Sequence, residues 1–308
     1  MHKYILRRIL MMIPVFIGVM FIIFTLLYIT PGDPASLLLG ERARPEDIAA
    51  LRLEMGLDDP FLVQFASYVG KVIRLDLGTS ISTKRPVFTE LTDRLPNTVR
   101  LATLCIVLAV LTGIPLGILC AVKHHKIFDN VASVLGLVIL SVPNFWLGLM
   151  LILLFSVNLG WLPVSGFSTP LHWIMPSLTI GLSSMGVFMR FTRSSMLEVI
   201  RQDYIRTARA KGQKESTVIM KHALKNALIP VITVVGLSFG ALLGGAILTE
   251  TVFAIPGIGN YMVLSIRARD FPIVQGGVLM IALGISIVNL IVDILYGFVD
   301  PRIRGQYK

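Results

Sequence analysis

The sequence predicts an all-α integral membrane protein with six transmembrane helices, and three observations carry that expectation. Of 308 residues, 55% are hydrophobic and only 15% are charged, against the roughly 25% charged that soluble domains carry. Six apolar stretches, 9–30, 98–122, 131–157, 174–189, 229–253 and 274–299, match or approach the ~20 helical residues that cross a bilayer core. Lys and Arg are distributed asymmetrically. With the N-terminus inside, the tails and short loops on that side hold 17 of them, while loops 158–173 and 254–273 on the other side hold 0 and 2. Positive charge stays on the cytoplasmic side, so both termini are expected inside. The formal charge of +10 then reflects topology and not nucleic-acid binding.

The first apolar run follows HKYILRR. It is longer than a signal-peptide core and no small-x-small cleavage site follows, so residues 1–30 read as a tail and a retained anchor. Residues 31–97 form an extracytoplasmic region with local order. Pro45, Glu46 and Asp47, with Gly56 beyond, read as a short helix with proline at its start and glycine past its end. Asp59-Pro60 opens an amphipathic stretch with Leu62, Phe65, Val69, Val72 and Ile73 on one face. A lid on the span ends and a docking surface fit this region equally.

The remaining five spans belong to residues 98–308. Cys105 and Cys120 lie fifteen residues apart in the second span, about 22 Å along a helix and too far for a disulfide. Pro143 in SVPNFWLG should kink the third span. The fourth is the shortest and carries Gly181, Ser183, Ser184 and Gly186; such a helix is expected to line an interior or a cavity. Gly236, Gly240 and Gly244 recur every four residues in the fifth, with Gly245 adjacent. That spacing admits a second helix closely, within this chain or from another subunit. In the sixth span Asp293 shares a face with Asn289. An intramembrane carboxylate is a functional-site candidate, but this one is near the cytoplasmic end, where pairing with a basic residue is the expectation.

Between spans four and five runs DYIRTARAKGQKESTVIMKHALKNALIP, residues 203–230. Asp203 is placed to cap a two-turn helix through Lys211. Gly212 is placed to stop it in the left-handed conformation, and Ser216 to cap a second helix through Ala227. Helix, tight turn and helix, anchored at both ends by spans, make a stiff lever. Anionic lipid at the cytoplasmic face accounts for the basic charge. It does not account for the ordered turn, or for Tyr204, Ile205 and Ala208 alternating with Arg206 and Arg209.

No G-x-x-x-x-G-K-[ST] or H-E-x-x-H occurs. His2, His124, His125, His172 and His222 all sit at or outside span ends, with His124-His125 read as an interfacial loop pair. No catalytic constellation emerges, so the chain is not expected to be an enzyme.

Segment 203–230 resembles the cytoplasmic EAA loop of ABC importer permeases. Of the general pattern E-A-A-x3-G-x9-I-x-L-P, only Ala208, Gly212 and Leu224 match. The variant of the dipeptide/oligopeptide/nickel family, DYIRTARAKG followed by KHALKNALIPVIT, matches almost throughout. The resemblance continues in TPGDPA (30–35), GLDDP (56–60), DLGTS (76–80), SVPNFW (141–146), TRSSMLEV (192–199), FAIPGIG (253–259), RDFPIVQG (269–276) and DPRIR (300–304).

The resemblance implies a type I importer permease fold in a bacterial inner membrane, with this chain as half of a heterodimeric pathway for di- or oligopeptides, nickel complexes, glutathione or opines. The implied partners are a second homologous permease chain, two cytoplasmic ATPase subunits that bind ATP and Mg, and an extracytoplasmic binding protein; this chain would hold no cofactor. Within a coupling loop at 191–226, residues Asp203, Tyr204, Ile205, Arg206, Thr207, Ala208, Arg209, Ala210, Lys211 and Gly212 would meet an ATPase, with Tyr204, Ile205, Ala208 and Gly212 as the contact and Arg206 and Arg209 on its rim. Glu250, Pro256, Gly257 and Gly259 would form part of the outer gate or binding-protein surface. A self-sufficient secondary transporter or channel is the alternative of a different class; it would need a midplane ion site or an internal repeat, and neither is evident.

Overall fold

A computed structural model describes residues 2–40 and 43–299; DPRIR at 300–304 and the rest of the expected C-tail lie outside the described residues. Among those residues the protein is helical, with one isolated β-bridge between Thr79 and Pro86.

α1 (His2–Ile29) lies at the edge of the bundle against α14 and α4. Leu6, Ile13, Ile22 and Leu26 all point away from the protein, as lipid-facing side chains do. α2 (Pro34–Leu39) is capped by Asp33. α3 (Pro45–Met55) starts at Pro45 and stops at Gly56, with φ +67°, as the sequence predicts. Arg52 holds this corner together through Asp33 at 2.9 Å and Asp58 at 2.7 Å. In α4 (Phe61–Ile73) the buried face differs from expectation. Phe65, Tyr68, Val69 and Val72 turn inward onto α1 and α14, whereas Leu62 and Ile73 are 71% and 75% exposed.

α5 (Val87–Val122) begins eleven residues before the predicted span. Its first turns bury Val87 and Leu91 against Ile258, Met262 and Ile273, so tertiary contacts extend the helix beyond the bilayer-length run. The third span is more than kinked. α6 (Ile127–Ser141) and α7 (Asn144–Leu151), which runs into a π-helical turn at Ile152–Asn158, meet at 98°. Pro143 forces the residue before it out of the helical region, and Val142 is accordingly extended, at φ −83° and ψ 124°.

α8 (Ile174–Ile200) runs eleven residues past the predicted fourth span and is the centre of the bundle, packed against α5, α6, α7 and α11. Its closest neighbour is α5. A Cβ on Gly113 would lie 2.7 Å from the Met185 carbonyl oxygen, and one on Gly117 would lie 2.5 Å from that of Met189. These two glycines let the backbones touch, which is how helices associate where lipid offers no hydrophobic drive.

α9 (Asp203–Ala210) and the single turn α10 (Glu215–Thr217) lead through a π-helical turn, Val218–Ala223, into α11 (Leu224–Gly245). The fifth span thus ends at a glycine pair instead of continuing to Phe253. α12 (Ile247–Val252) and α13 (Ile258–Arg267) make the following corner, and α14 (Phe271–Val299) closes the bundle. Among the described residues five helices are long and apolar enough to cross a membrane, or six if the bent α6–α7 pair is one span.

Candidate functional site

The α9 hairpin sits at the end of the bundle where α8 leaves and α11 enters. Asp203 is the first helical residue and caps nothing; the capping position falls to Gln202, in extended conformation. Ser216 is likewise inside α10, with Lys214 at the cap. Two expected caps are therefore each displaced by one or two residues, although Asp203 still lies in the first turn, where a negative charge suits the helix dipole.

Three residues apart on α9, Ile205 and Ala208 are buried in a cluster with Ala121, Met196, Val218, Ile219, Ala223 and Ala227. This corrects the reading of Ile205 and Ala208 as contact residues: they are the inward face that fastens α9 to the ends of α5, α8 and α11. The outward face consists of Asp203, Tyr204, Arg206, Thr207, Arg209, Ala210, Lys211 and Gly212, all exposed.

Polar contacts fix the turn. Gly212 has φ +74° and open space around its Cα, and its N–H donates to the Arg209 carbonyl at 2.9 Å. Arg209 spans the turn with both guanidinium arms on Glu215, at 2.7 and 3.1 Å. His222 meets Gln213 at 2.7 Å, and Asn226 donates to the Tyr204 hydroxyl at 2.7 Å. Arg209 and Tyr204 are thus committed to the hairpin's own geometry. Arg206, with only a 3.8 Å contact to Asp203, and Lys211 remain the free basic groups of its outward face.

At the opposite end of the bundle, Glu250 is fully buried. Thr98 of α5 donates to Glu250 Oε1 at 2.6 Å and accepts from the Ile258 N–H at 2.9 Å. The Asn260 N–H donates to Oε2 at 3.0 Å, and Asn97 donates to the Pro256 carbonyl at 3.0 Å. Gly257 and Gly259 are buried beside the Glu250 carboxylate, and any Cβ on Gly257 would overlap it. Burial corrects the placement of Glu250, Gly257 and Gly259 on a binding-protein surface but not their place in an outer gate: they form an internal clasp between α5 and the α12–α13 corner, leaving only Pro256 partly exposed.

The other candidates lie among contacts within this chain. Asp293 pairs with Arg8 of α1 at 3.0 Å. Ser183 donates to Asn144 at the start of α7 at 2.7 Å, and Ser184 is half-buried beside it on the central helix. Gly236 packs on Val292, Gly240 on Asn289 and Val288, and Gly244 on Ile281 and Ile285, so the glycine stripe seats α14.

Two acid clusters escaped the sequence reading. Asp129 is buried and accepts from both Arg193 arms, at 2.5 and 2.8 Å, with His124 3.3 Å away; this ties the α6 start to α8. Asp270 accepts from the Ser80 hydroxyl at 2.5 Å and from the N–H groups of Ile81 and Ser82 at 3.1 Å, pinning the segment before α5 to the start of α14. The partners lie 64 and about 190 residues apart. The only local signal was a charge at a span end.

Two family models match most of the chain. Residues 113–305 match the binding-protein-dependent transport system inner membrane component, and residues 1–102 match the N-terminal membrane component of the same systems. Among relatives, the dipeptide transport system permease protein DppB of Escherichia coli K12 is 44% identical over 338 residues, and that of Alkalihalophilus pseudofirmus is 42% identical over 332. Each alignment covers 99% of this chain and all of the relative. The glutathione transport system permease protein GsiC of Salmonella typhimurium is 44% identical over 304 residues, 99% of each chain. Among solved structures, an inward-facing MetNI methionine ABC transporter chain superposes with TM-score 0.54 at 18% identity, over 68% of this chain and 96% of its own. An amino acid ABC transporter chain superposes with TM-score 0.53 at 17% identity, over 70% and 94%.

Proposed function

The chain belongs to the inner-membrane components of binding-protein-dependent transport systems, and on that premise we propose that it forms half of the pathway of an ATP-driven dipeptide importer. It is a multi-pass membrane subunit and not itself an enzyme. The observation that carries the coupling role is the α9 hairpin. Its inward face is clamped to three span ends, its turn is closed by Arg209–Glu215, and its outward face presents Arg206, Lys211 and Thr207 to the surroundings. A short helix held in this way moves only if α8 and α11 move with it, which is what transmission of a rigid-body motion requires.

In this reading the α9 end is cytoplasmic, as the charge asymmetry favours, and α9 seats on one of two ATPase subunits that hold ATP and Mg. A second, homologous permease chain completes the pathway, and an extracytoplasmic binding protein delivers substrate at the α12–α13 end. The permease relatives named for dipeptides support that substrate class. The equally similar GsiC relatives favour glutathione, itself a short peptide, as a second reading.

The test is uptake into proteoliposomes holding this chain, its partner permease, both ATPases and the binding protein. The expected result is ATP-dependent accumulation of labelled dipeptide, abolished when either ATPase is omitted. Uptake that persists without the ATPases and follows an ion gradient would establish a secondary transporter instead. Competition by glutathione that exceeds competition by unlabelled dipeptide would decide for the second reading.

A further inference from the structure

We propose that α4 is embedded in the outer leaflet of the membrane, its free face covered by lipid acyl chains, and does not stand above the bilayer as an aqueous lid. The inference rests on the membrane orientation given above. Ring contacts with α1 set its depth.

On α1, the apolar span runs to Ile29, and Phe21 lies eight residues, about 12 Å, inside that end. The Phe61 ring sits 5.9 Å from Phe21, 5.4 Å from Phe24 and 5.1 Å from Tyr28, and the Phe65 ring sits 5.4 Å from Phe21. α4 therefore reaches about 12 Å below the α1 span end. Thirteen residues give about 20 Å of helix, too short to cross the ~30 Å core, so the element occupies one leaflet.

Its free face fits that position. Leu62, Val63 and Ile73 are 71%, 51% and 75% exposed, and they adjoin a flank of α1 that exposes Phe21, Ile22 and Leu26. α1 is the least buried of the spans, at 11%, so the lipid-facing surface continues from α1 onto α4. Lys71 and Arg74 are exposed at the C-terminal end of α4 with no acidic partner among the described residues, a placement that suits headgroup phosphates. α3, by contrast, exposes Glu46, Asp47 and Glu54 and belongs in water.

The test places a nitroxide label singly through Leu62→Cys, Val63→Cys, Ile73→Cys and, as an aqueous control, Glu54→Cys, in the assembled transporter in lipid nanodiscs. Cys105 and Cys120 are buried, and the unsubstituted chain sets the labelling background. All four positions are exposed, so the labels disturb no packing. The expected result is oxygen collision exceeding nickel-chelate collision severalfold at 62, 63 and 73, with the reverse at 54. Nickel access at 62, 63 and 73 equal to that at 54 would place α4 in water. Low access to both reagents would mean that protein covers the face. Either result overturns the proposal. ATP-driven uptake is read on the same labelled variants reconstituted in proteoliposomes, so failed import alongside lipid-exposed labels would count against the importer reading alone.

Discussion

At Gly212 the backbone torsion disfavours most other residues without any crowding, because φ is +74° and nothing lies within 4 Å of an added Cβ. A left-handed conformation costs most residues about 1–2 kcal/mol and a β-branched residue more. Gly212→Val should therefore distort the turn that Arg209 and Glu215 close. We predict at least a ~10-fold loss of uptake, since about 1.4 kcal/mol is tenfold, while the ATPases continue to hydrolyse ATP. Gly212→Asn, which tolerates this conformation, should transport nearly normally. Unchanged transport in the valine variant would sink the claim. The two faces of α9 should separate in the same way. Ile205→Ala removes a fully buried side chain and should cost about 2–4 kcal/mol, read as a lower unfolding midpoint in detergent. Arg206→Ala should stay within about 0.5 kcal/mol of the parent yet weaken co-purification with the ATPases. The sequence showed a short helix with apolar positions but not which face is buried. Ile205 and Ala208 are apolar whether they meet a partner or their own core, and the outcome depends on Ala121, Met196 and Val218, contributed by α5, α8 and the turn before α11.

Helical elements were legible where proline or glycine marked their ends. Pro45 and Gly56 bracket α3 as expected, and Pro143 breaks the third span. Ends set by distant partners were not. α5 starts early because Val87 and Leu91 pack on α13 and α14, and α11 passes through a π-helical turn into the hairpin with no boundary at Ala227. Long-range clasps are the elements' main polar fasteners, and each yields a prediction. Arg193→Ala leaves the Asp129 carboxylate buried without its partner and should destabilise by about 3–5 kcal/mol. Adding Asp129→Ala should recover part of that loss in a double-mutant cycle, and additive losses would show that the pair is uncoupled. Glu250→Ala strands the Thr98 hydroxyl and the Asn260 N–H, at about 1–3 kcal/mol per unsatisfied group. Its unfolding midpoint should therefore fall well below that of Pro256→Ala, which removes no hydrogen-bonding group. Equal midpoints would contradict the clasp.

Across the whole molecule, α8 carries the burial and α1 the lipid contact: half of one span is buried, against 11% of the other. Composition alone predicted a membrane bundle, and the weakly apolar fourth stretch predicted its centre, because Gly181, Ser183 and Gly186 suit close packing better than lipid. The glycine stripe at Gly236–Gly244 could not be apportioned from sequence between packing within this chain and contact with another subunit, since both uses need the same residues, whereas Asp293 was expected to pair with a basic residue and pairs with Arg8. The structure gives both to packing against or by α14. What remains outward at the α9 end is a small basic surface on a rigid mount, on which we propose that an ATPase sits. The most direct measurement is photo-cross-linking from position 206 or 211 in an assembled transporter that imports in an ATP-dependent manner. An adduct between this chain and an ATPase subunit is expected from both positions, and none from the exposed position 111 on α5. No adduct from either α9 position, in a preparation that transports, would contradict it.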